Sequence, residues 1–458
     1  MAEPATEGVW GAIARRTESP DGLARALIEE LESGLAVLQR LPPAVTFFGG
    51  ARIQPTDRYY GQAERMGALL ARLGLPPRTG AGPGVMTAVP QGYRRALAQP
   101  VGGRSAGESP ASRPQALTQG FNIQLPFEQA VNPDIEVSLE LSHFPTRKLM
   151  LYENALGLVI FPGGFGTLDE LFEAWRLKSA GVLSSPFVLF GRDFWEPLLA
   201  TLEAMTLGGV RRTVPPDVFG LVELCDDAER AIAVVTERAR QGPFDEPLRE
   251  LGRRVARELV EGLGYLSRLP RAVTVIGGTR LAESDPIVRT AEAIARRLAR
   301  AGVPTRASGP GPFSVALARG GHQGSRYLPQ QAFGMRREDA RNLYGADRVH
   351  LVNDRLTHKV LLTETSRAVV VLPGGLGTLD ELFSVVCQLQ TRKIPSRRVV
   401  LVGHEFWTPL IDTIRRKMLE PSRRLISVGD LDLFTLSDDP GEVAELCLLP
   451  PPELAARA

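Results

Sequence analysis

Pro162-Gly163-Gly164-Phe165-Gly166-Thr167-Leu168-Asp169-Glu170 is the stretch that decides how this chain folds. Leu156-Gly157-Leu158-Val159-Ile160-Phe161 precedes it, a short apolar run that reads as a buried parallel strand. After it, Leu168, Leu171, Phe172 and Trp175 recur at helical spacing. The order is strand, glycine-rich turn, helix. Such a turn leaves backbone N–H groups open at a helix N-terminus, where the helix dipole favours an anion. Glycines let the main chain approach a phosphate closely. Thr167 can cap the helix or donate its hydroxyl, and Glu170 lies one turn into the helix at the same mouth. A carboxylate is not needed to hold a phosphate, so Glu170 points to chemistry.

The same phrase returns 211 positions later, from Pro162 to Pro373, as Pro373-Gly374-Gly375-Leu376-Gly377-Thr378-Leu379-Asp380-Glu381. Ala368-Val369-Val370-Val371-Leu372 again supplies a strand before it. Eight of the nine residues are identical, so the chain is a tandem duplication. Gly374, Gly375, Gly377, Thr378 and Glu381 form a candidate second phosphate site.

The duplication starts early. Leu23, Leu27, Leu31, Leu35 and Leu38 mark an amphipathic helix, and Leu31-Glu32-Ser33-Gly34-Leu35 has a partner in Leu259-Val260-Glu261-Gly262-Leu263. The first strand, Ala44–Phe48, leads into Gly49-Gly50-Ala51-Arg52, and Ala272–Ile276 leads into Gly277-Gly278-Thr279-Arg280. Helices are expected from about Tyr60 to Leu73 and from Ile287 to Ala301. A second glycine-rich turn, Thr79-Gly80-Ala81-Gly82-Pro83-Gly84-Val85-Met86, is shortened in the second copy to Ala307-Ser308-Gly309-Pro310-Gly311-Pro312-Phe313. A Gly/Ser/Pro-rich insert between about 99 and 115 reads as a surface loop. The phrase Gly120-Phe121-Asn122-Ile123-Gln124-Leu125-Pro126-Phe127-Glu128 is matched with Gly334-Met335-Arg336-Arg337-Glu338-Asp339, and its polar and apolar order is lost there. Pro186–Phe190 and Arg398–Val402 are late strands.

Strands alternating with helices imply a parallel sheet covered on both faces. The fold class is therefore α/β, with two Rossmann-like domains. The expected division is a flexible N-terminus over 1–20, a first domain over 21–240, a linker over 241–247 and a second domain over 248–458. The net charge of +2 gives no bulk attraction to nucleic acid or membranes. Cys225, Cys387 and Cys447 make neither a disulfide framework nor a metal pattern, and fit a reducing cytoplasm. The N-terminus lacks the charge-then-apolar pattern of a signal peptide, and no apolar run reaches the length of a membrane span.

Thr146-Arg147-Lys148 stands ahead of the key strand, with Arg147 23 positions before Glu170. If its helix starts at the carboxyl edge of the sheet, Arg147 reaches the mouth of the glycine turn, where open α/β sheets bind ligands. There a guanidinium can grip a phosphate or ribose, or steer the carboxylate. Lys148 is either a second contact or part of a solvated helix face. His322 and His404 read as surface or loop histidines.

An Arg-Lys dipeptide paired with Pro-Gly-Gly-x-Gly-Thr-x-x-Glu resembles the LONELY GUY (LOG) family of nucleoside 5′-monophosphate phosphoribohydrolases, whose members were often labelled lysine decarboxylases. The likeness covers residues of about 40 to 240. It implies cleavage of the N-glycosidic bond of AMP or a cytokinin nucleotide to free base and ribose 5-phosphate. On that resemblance Arg147 and Glu170 are the catalytic pair. Gly163, Gly164, Gly166 and Thr167 hold the 5′-phosphate. Gly82, Gly84 and Met86 line the nucleotide pocket, with Lys148 among the substrate contacts. It implies no cofactor, no metal, a small-molecule nucleotide as the binding partner, and an internal pseudo-dimer of the two copies that uses helices of both, such as the one holding Phe172 and Trp175 and its counterpart at Phe383; further self-association is left open.

The second copy departs from the pattern. Thr357-His358-Lys359 replaces Thr146-Arg147-Lys148, with the spacing to Glu381 unchanged. Histidine cannot reproduce a bidentate arginine. The expectation is a first copy that catalyses and a second that serves as scaffold, wall or regulatory site. The rival reading is a nucleotide- or cofactor-binding protein, sensor or carrier, without turnover.

Overall fold

Ala44–Phe48 (β1) and Ala155–Ile160 (β5) are buried along their whole lengths. Strands buried on both faces belong at the centre of a parallel sheet covered by helices. In the computed structural model these two strands pair in parallel. Around them stand Pro77–Thr79 (β2), Gln119–Ile123 (β3), Val137–Leu141 (β4), Phe187–Phe190 (β6) and Glu223–Cys225 (β7), in the order β4-β3-β2-β1-β5-β6-β7. The second half repeats the sheet with Ala272–Ile276 (β8), Thr305–Ser308 (β9), Gln331–Met335 (β10), Arg348–Val352 (β11), Ser366–Val371 (β12), Val399–Leu401 (β13) and Thr435–Leu436 (β14), in the order β11-β10-β9-β8-β12-β13-β14. The strand order reverses between β1 and β5, and again between β8 and β12. Open α/β sheets take their ligands in the crevice at that switch point. Each Pro-Gly-Gly turn leaves the sheet there.

The structure describes residues 20–99, 117–125, 132–208, 211–237, 248–336 and 345–451. The N-terminal segment up to 19, the linker 241–247, the insert from 100 onward, Pro126 to Glu128 and Arg337 to Asp339 lie outside the described residues.

The first copy carries the helices Pro20–Leu38 (α1), Arg58–Leu73 (α2), Val85–Ala98 (α3), Phe144–Tyr152 (α4), Phe165–Ser179 (α5), Arg192–Leu207 (α6) and Ala228–Thr236 (α7). The second carries Leu248–Ser267 (α8), Pro286–Arg300 (α9), Pro312–Gly324 (α10), Arg355–Thr365 (α11), Leu376–Gln390 (α12), His404–Met418 (α13) and Pro440–Leu448 (α14). α2 opens two residues ahead of the sequence expectation because Asp57 caps it, accepting from Tyr59 N at 2.9 Å. No described helix is long and apolar enough to cross a membrane.

One sequence alignment is corrected. Arg78 on β2 pairs with Gln119 on β3, and Arg306 on β9 pairs with Gln331 on β10. In both copies the buried arginine Nε donates to that glutamine Oε1 at 2.9 Å. Phe121 therefore matches Phe333, and Gly334 matches Asn122 rather than Gly120. The core of this strand survives in the second copy. Gly334 resembles Gly120 in type, whereas the sheet is registered on the buried Arg–Gln pair.

The two copies meet like against like: α1 packs on α8, α4 on α11, α5 on α12 and α6 on α13. Phe172 and Phe383 stack with ring centroids 5.1 Å apart and planes at 15°, a contact worth about 0.5–1.5 kcal/mol beyond its buried area. Trp175 faces its own copy instead. It packs edge-on against Phe219 and donates to the carbonyl of Val218 at 2.9 Å.

Reciprocal arms complete the junction. Arg211, just beyond α6, makes a forked ion pair with Asp285, the cap of α9, at 2.7 and 3.0 Å. Arg423, beyond α13, reaches Asp57, the cap of α2, at 3.0 Å. Each arm thereby reaches a helix N-cap of the other copy, where its guanidinium meets a fixed carboxylate.

Candidate active site

The first mouth is assembled from the N-terminus of α4. Pro145 sits in its first turn and His143 is its N-cap, with no side-chain cap bond. The approach to the helix is held from α1 instead. Glu30 accepts from Ser142 N at 2.9 Å and His143 N at 3.1 Å, and also from the Thr146 hydroxyl. Burial would raise the Glu30 carboxyl, but the bonds from His143, Thr146 and Ser142 outweigh it and hold it below its ordinary range. Glu258 on α8 does the same for α11, accepting from Asn353 N and Asp354 N. The lead-in helices thus aim the helices that carry Arg147 and His358.

Arg147 is 8% exposed at its side chain and Glu170 9%, and Arg147 Nη1 stands 3.2 Å from Glu170 Oε1. Arg147 Nε donates to the carbonyl of Phe121 at 3.0 Å, which fixes the plane of the guanidinium. Its far side passes over Gly80, where a Cβ would collide with Nη2. The sequence placed these two residues at one mouth, and the structure brings them together. Burial pushes the Glu170 carboxyl up to about 7, against the pull of Arg147 and Lys148. A buried carboxyl poised near neutrality is suited to proton transfer.

Gly164 is the N-cap of α5 and no side chain caps it. The open N–H groups of a 15-residue helix therefore face the mouth. Thr167 is not the cap. Its hydroxyl lies where a Cβ on Gly163 would be, so it leans over the turn. Gly82 and Gly84 sit in the second glycine turn, and the Met86 thioether covers Gly80 and Gly82, with Cε 2.9 Å from a Cβ built on Gly82. Gly166 faces the other copy, towards Cys387. A Cβ on Gly164 would lie 2.7 Å from the carbonyl of Leu425. The second copy's arm is thus one wall of the first mouth, and Arg52 at the rim bonds that arm at Ser427 Oγ, 3.0 Å away.

Lys148 is corrected. It is 3% exposed at its side chain, with Nζ 2.5 Å from Asp169 and 2.7 Å from Glu173. Lys359 mirrors it, 2.6 Å from Asp380 and 2.9 Å from Glu173. Glu173 of the first copy therefore serves both lysines at the junction. Asp169, Glu173 and Asp380 place carboxylate oxygens within 4.8 Å of one another. That is the spacing of a metal cluster, but here ammonium groups supply the positive charge. Neither lysine is a solvated surface residue; buried carboxylates hold both ammonium groups. The sequence hid this because Glu173 serves a lysine of each copy.

The second mouth keeps the same frame with other side chains. Gly375 is an uncapped N-cap and the Thr378 hydroxyl leans over Gly374. A Cβ on Gly375 would lie 2.5 Å from the carbonyl of Thr213, so the first copy's arm walls it. His358 Nδ1 is 3.7 Å from Glu381 Oε1, and its ring packs on Phe333 at 4.8 Å. Burial, together with Arg176 and Arg355, drives its pKa well below the ordinary histidine value, so the ring is neutral. Ser308 occupies the place of Gly80 and donates to Glu381 Oε2 at 2.8 Å.

The family described as possible lysine decarboxylase matches residues 104–235 and 327–447, one segment in each copy and each containing a Pro-Gly-Gly turn. A cytokinin riboside 5′-monophosphate phosphoribohydrolase from Rhodococcoides fascians is 29% identical over 199 residues, covering 42% of this chain and 89% of that protein. Among solved structures, the chain is similar to the molybdenum cofactor carrier protein from Chlamydomonas reinhardtii, with 20% identity, 43% of this chain and 98% of that one covered, and a TM-score of 0.30. It is also similar to the molybdenum cofactor binding protein from Rippkaea orientalis, with 19% identity, 42% and 95% covered, and a TM-score of 0.30. With both turns inside matched segments, the chain belongs to the family described as possible lysine decarboxylase, the one its LOG-like motifs resemble, and carries that family's domain twice.

Proposed function

We propose that the first mouth hydrolyses the N-glycosidic bond of a purine nucleoside 5′-monophosphate, of the AMP or cytokinin type, to free base and ribose 5-phosphate. The observation that carries this reading is the buried Arg147–Glu170 pair beside an uncapped helix N-terminus at the switch point of the sheet. The 5′-phosphate is held by the N–H groups of Gly164, Phe165 and Gly166 with the Thr167 hydroxyl. Holding the phosphate fixes the ribose over Glu170. Departure of the base leaves positive charge on the sugar, and the Glu170 carboxylate stabilises it. The same carboxylate takes a proton from the attacking water as its oxygen bonds C1′; the base leaves with the glycosidic electron pair and is protonated from solvent, and Glu170 then returns its proton to solvent. Arg147 keeps the carboxylate oriented and grips the sugar hydroxyls.

The similarity to the Rhodococcoides phosphoribohydrolase supports this reading. The decarboxylase label fits less well. Schiff-base chemistry needs a deprotonated lysine. The lysine beside the first mouth, Lys148, is raised instead: burial alone would lower it, but Asp169, Glu173 and Asp380 overcome that.

Purified protein incubated with AMP or isopentenyl-AMP should release free base, followed by chromatography. Tight nucleotide binding with no base released over a range of pH and temperature rejects hydrolysis in favour of a carrier or sensor. Gly80→Ala supplies a second check. Its new Cβ displaces the Arg147 guanidinium, and a misplacement of about 1 Å can cost on the order of 100-fold in turnover. The variant should lose about that much base release with an unchanged far-UV spectrum; near wild-type turnover would show that Arg147 is not needed where it lies.

A further inference from the structure

Arg176 stands on α5 of the first copy, yet its guanidinium serves the second. Nη1 lies 3.1 Å from Asp380 Oδ2 and 3.4 Å from Glu381 Oε1. A Cβ on Gly377 would lie 3.3 Å from its Cζ. The equivalent position of the second copy is Cys387, whose sulfur lies 3.8 Å from the corresponding point over Gly166. The exchange is therefore one-sided. The first mouth takes its guanidinium from its own copy at Arg147 and receives a thiol. The second mouth has lost that arginine to His358 and receives one across the junction.

Three differences between the copies form a matched set. Gly80 leaves room for Arg147; Ser308 fills that room and bonds Glu381. His358, neutral and 4% exposed, occupies the space behind. Arg176 then restores a carboxylate–guanidinium contact of 3.4 Å, close to the 3.2 Å of Arg147 and Glu170. Random decay would not be expected to rebuild the contact it removed. The mouth is also open: a cavity of about 350 Å³ is lined by Arg176, Arg280, Arg355, Glu381, Thr378 and the arm at Thr213. This is within the range of small-ligand pockets. Asp380 and Glu381 engage Arg176; Arg280 and Arg355 add positive charge to the lining, and the uncapped α12 terminus adds to it.

We propose that the second mouth is a composite ligand site for a pentose 5-phosphate group, built from the glycine turn and Glu381 of the second copy and Arg176 of the first. The phosphate lies at Gly375–Gly377 with Thr378, and the sugar hydroxyls face Glu381 and Arg176. The group can arrive as free ribose 5-phosphate or within a nucleoside monophosphate.

Calorimetric titration of the full chain with ribose 5-phosphate tests this by stoichiometry. Arg176→Met should take up one equivalent fewer than wild type, or bind that equivalent about 10- to 100-fold more weakly, as expected for loss of charged hydrogen bonds. Because the count is relative, the result holds whether or not the first mouth binds. Arg176 also pairs with Asp380, so Ser308→Leu, which fills the cavity without touching that pair, decides the matter if Arg176→Met fails to fold. The proposal is overturned if wild type takes up no ribose 5-phosphate, or if the folded variants keep the wild-type count and affinity. AMP titrated into Glu170→Gln then separates the sources: tighter AMP binding at the second mouth assigns a nucleotide, and equal affinity assigns the sugar phosphate.

Discussion

Glu170→Gln is expected to lower base release by about 10²- to 10⁴-fold, the usual weight of a positioned acid–base group, and at the same time to make the protein more stable at pH 8. The two effects share one cause. Burial raises the folded-state pKa of Glu170 from an ordinary 4.5 to about 7, so the folded chain holds this proton more tightly than the unfolded chain does. Wild-type stability from this group is then greatest below about pH 4.5, falls as pH rises towards 7, and is lower by a constant amount above that. At ~1.4 kcal/mol per pKa unit, the alkaline penalty is on the order of a few kcal/mol. Arg147, Lys148, Asp169 and Glu173 are the charged groups acting on Glu170. Removing its charge leaves Arg147 its bond to Phe121, which limits the compensating loss. Thermal unfolding of both proteins at pH 5 and pH 8 should show a gain in Tm at pH 8 that shrinks at pH 5. Equal Tm shifts at both pH values would mean that Glu170 is not held near neutrality.

Lys359→Met is expected to be the most damaging single change at the junction. Its ammonium is buried between Asp380 and Glu173, and removing one member of a buried ion network costs roughly 3–5 kcal/mol because a charge is left without compensation. The remaining acids can respond by taking up a proton. Their pKa values rise, so the defect should be mild near pH 4 and grow towards neutrality. Denaturant titration at both pH values measures it. The double change Lys359→Met with Asp380→Leu should recover much of the loss, since an apolar pair of similar volume can replace a buried ion pair at little cost. A single-variant loss below about 1 kcal/mol at pH 7 would show that the cluster is screened by water.

The central strands, the glycine turns and the pairing of Arg147 with Glu170 were legible in sequence because each depends on local pattern. A strand separates the helix of Arg147 from the helix of Glu170, so a parallel sheet returns both to one edge. The match of β10 to β3 is hidden in the sequence because Gly334 resembles Gly120 in type, while the sheet is keyed by Arg306 and Gln331. Lys148 was misplaced because its partners include a carboxylate that also serves the second copy. Arg176 and the arms carry no local signature. Their signals were present as comparisons between copies: Arg211-Arg212 recurs as Arg423-Arg424, and Arg176 stands opposite Cys387. Contacts that cross from one copy to the other have no helical or strand period, so only the folded junction reveals what these residues touch.

The one-sided reach of Arg176 bears on how such a chain can change through descent. In an assembly of identical subunits, one altered codon rewrites every mouth at once, and each subunit must accept whatever it donates. Here α5 donates a guanidinium that its own mouth never receives back, because position 387 is cysteine. With both copies on one chain, a shared alphabet becomes two separate ones. One mouth can keep an inherited chemistry while the other is revised, and the half that does the revising need not be the half that is revised.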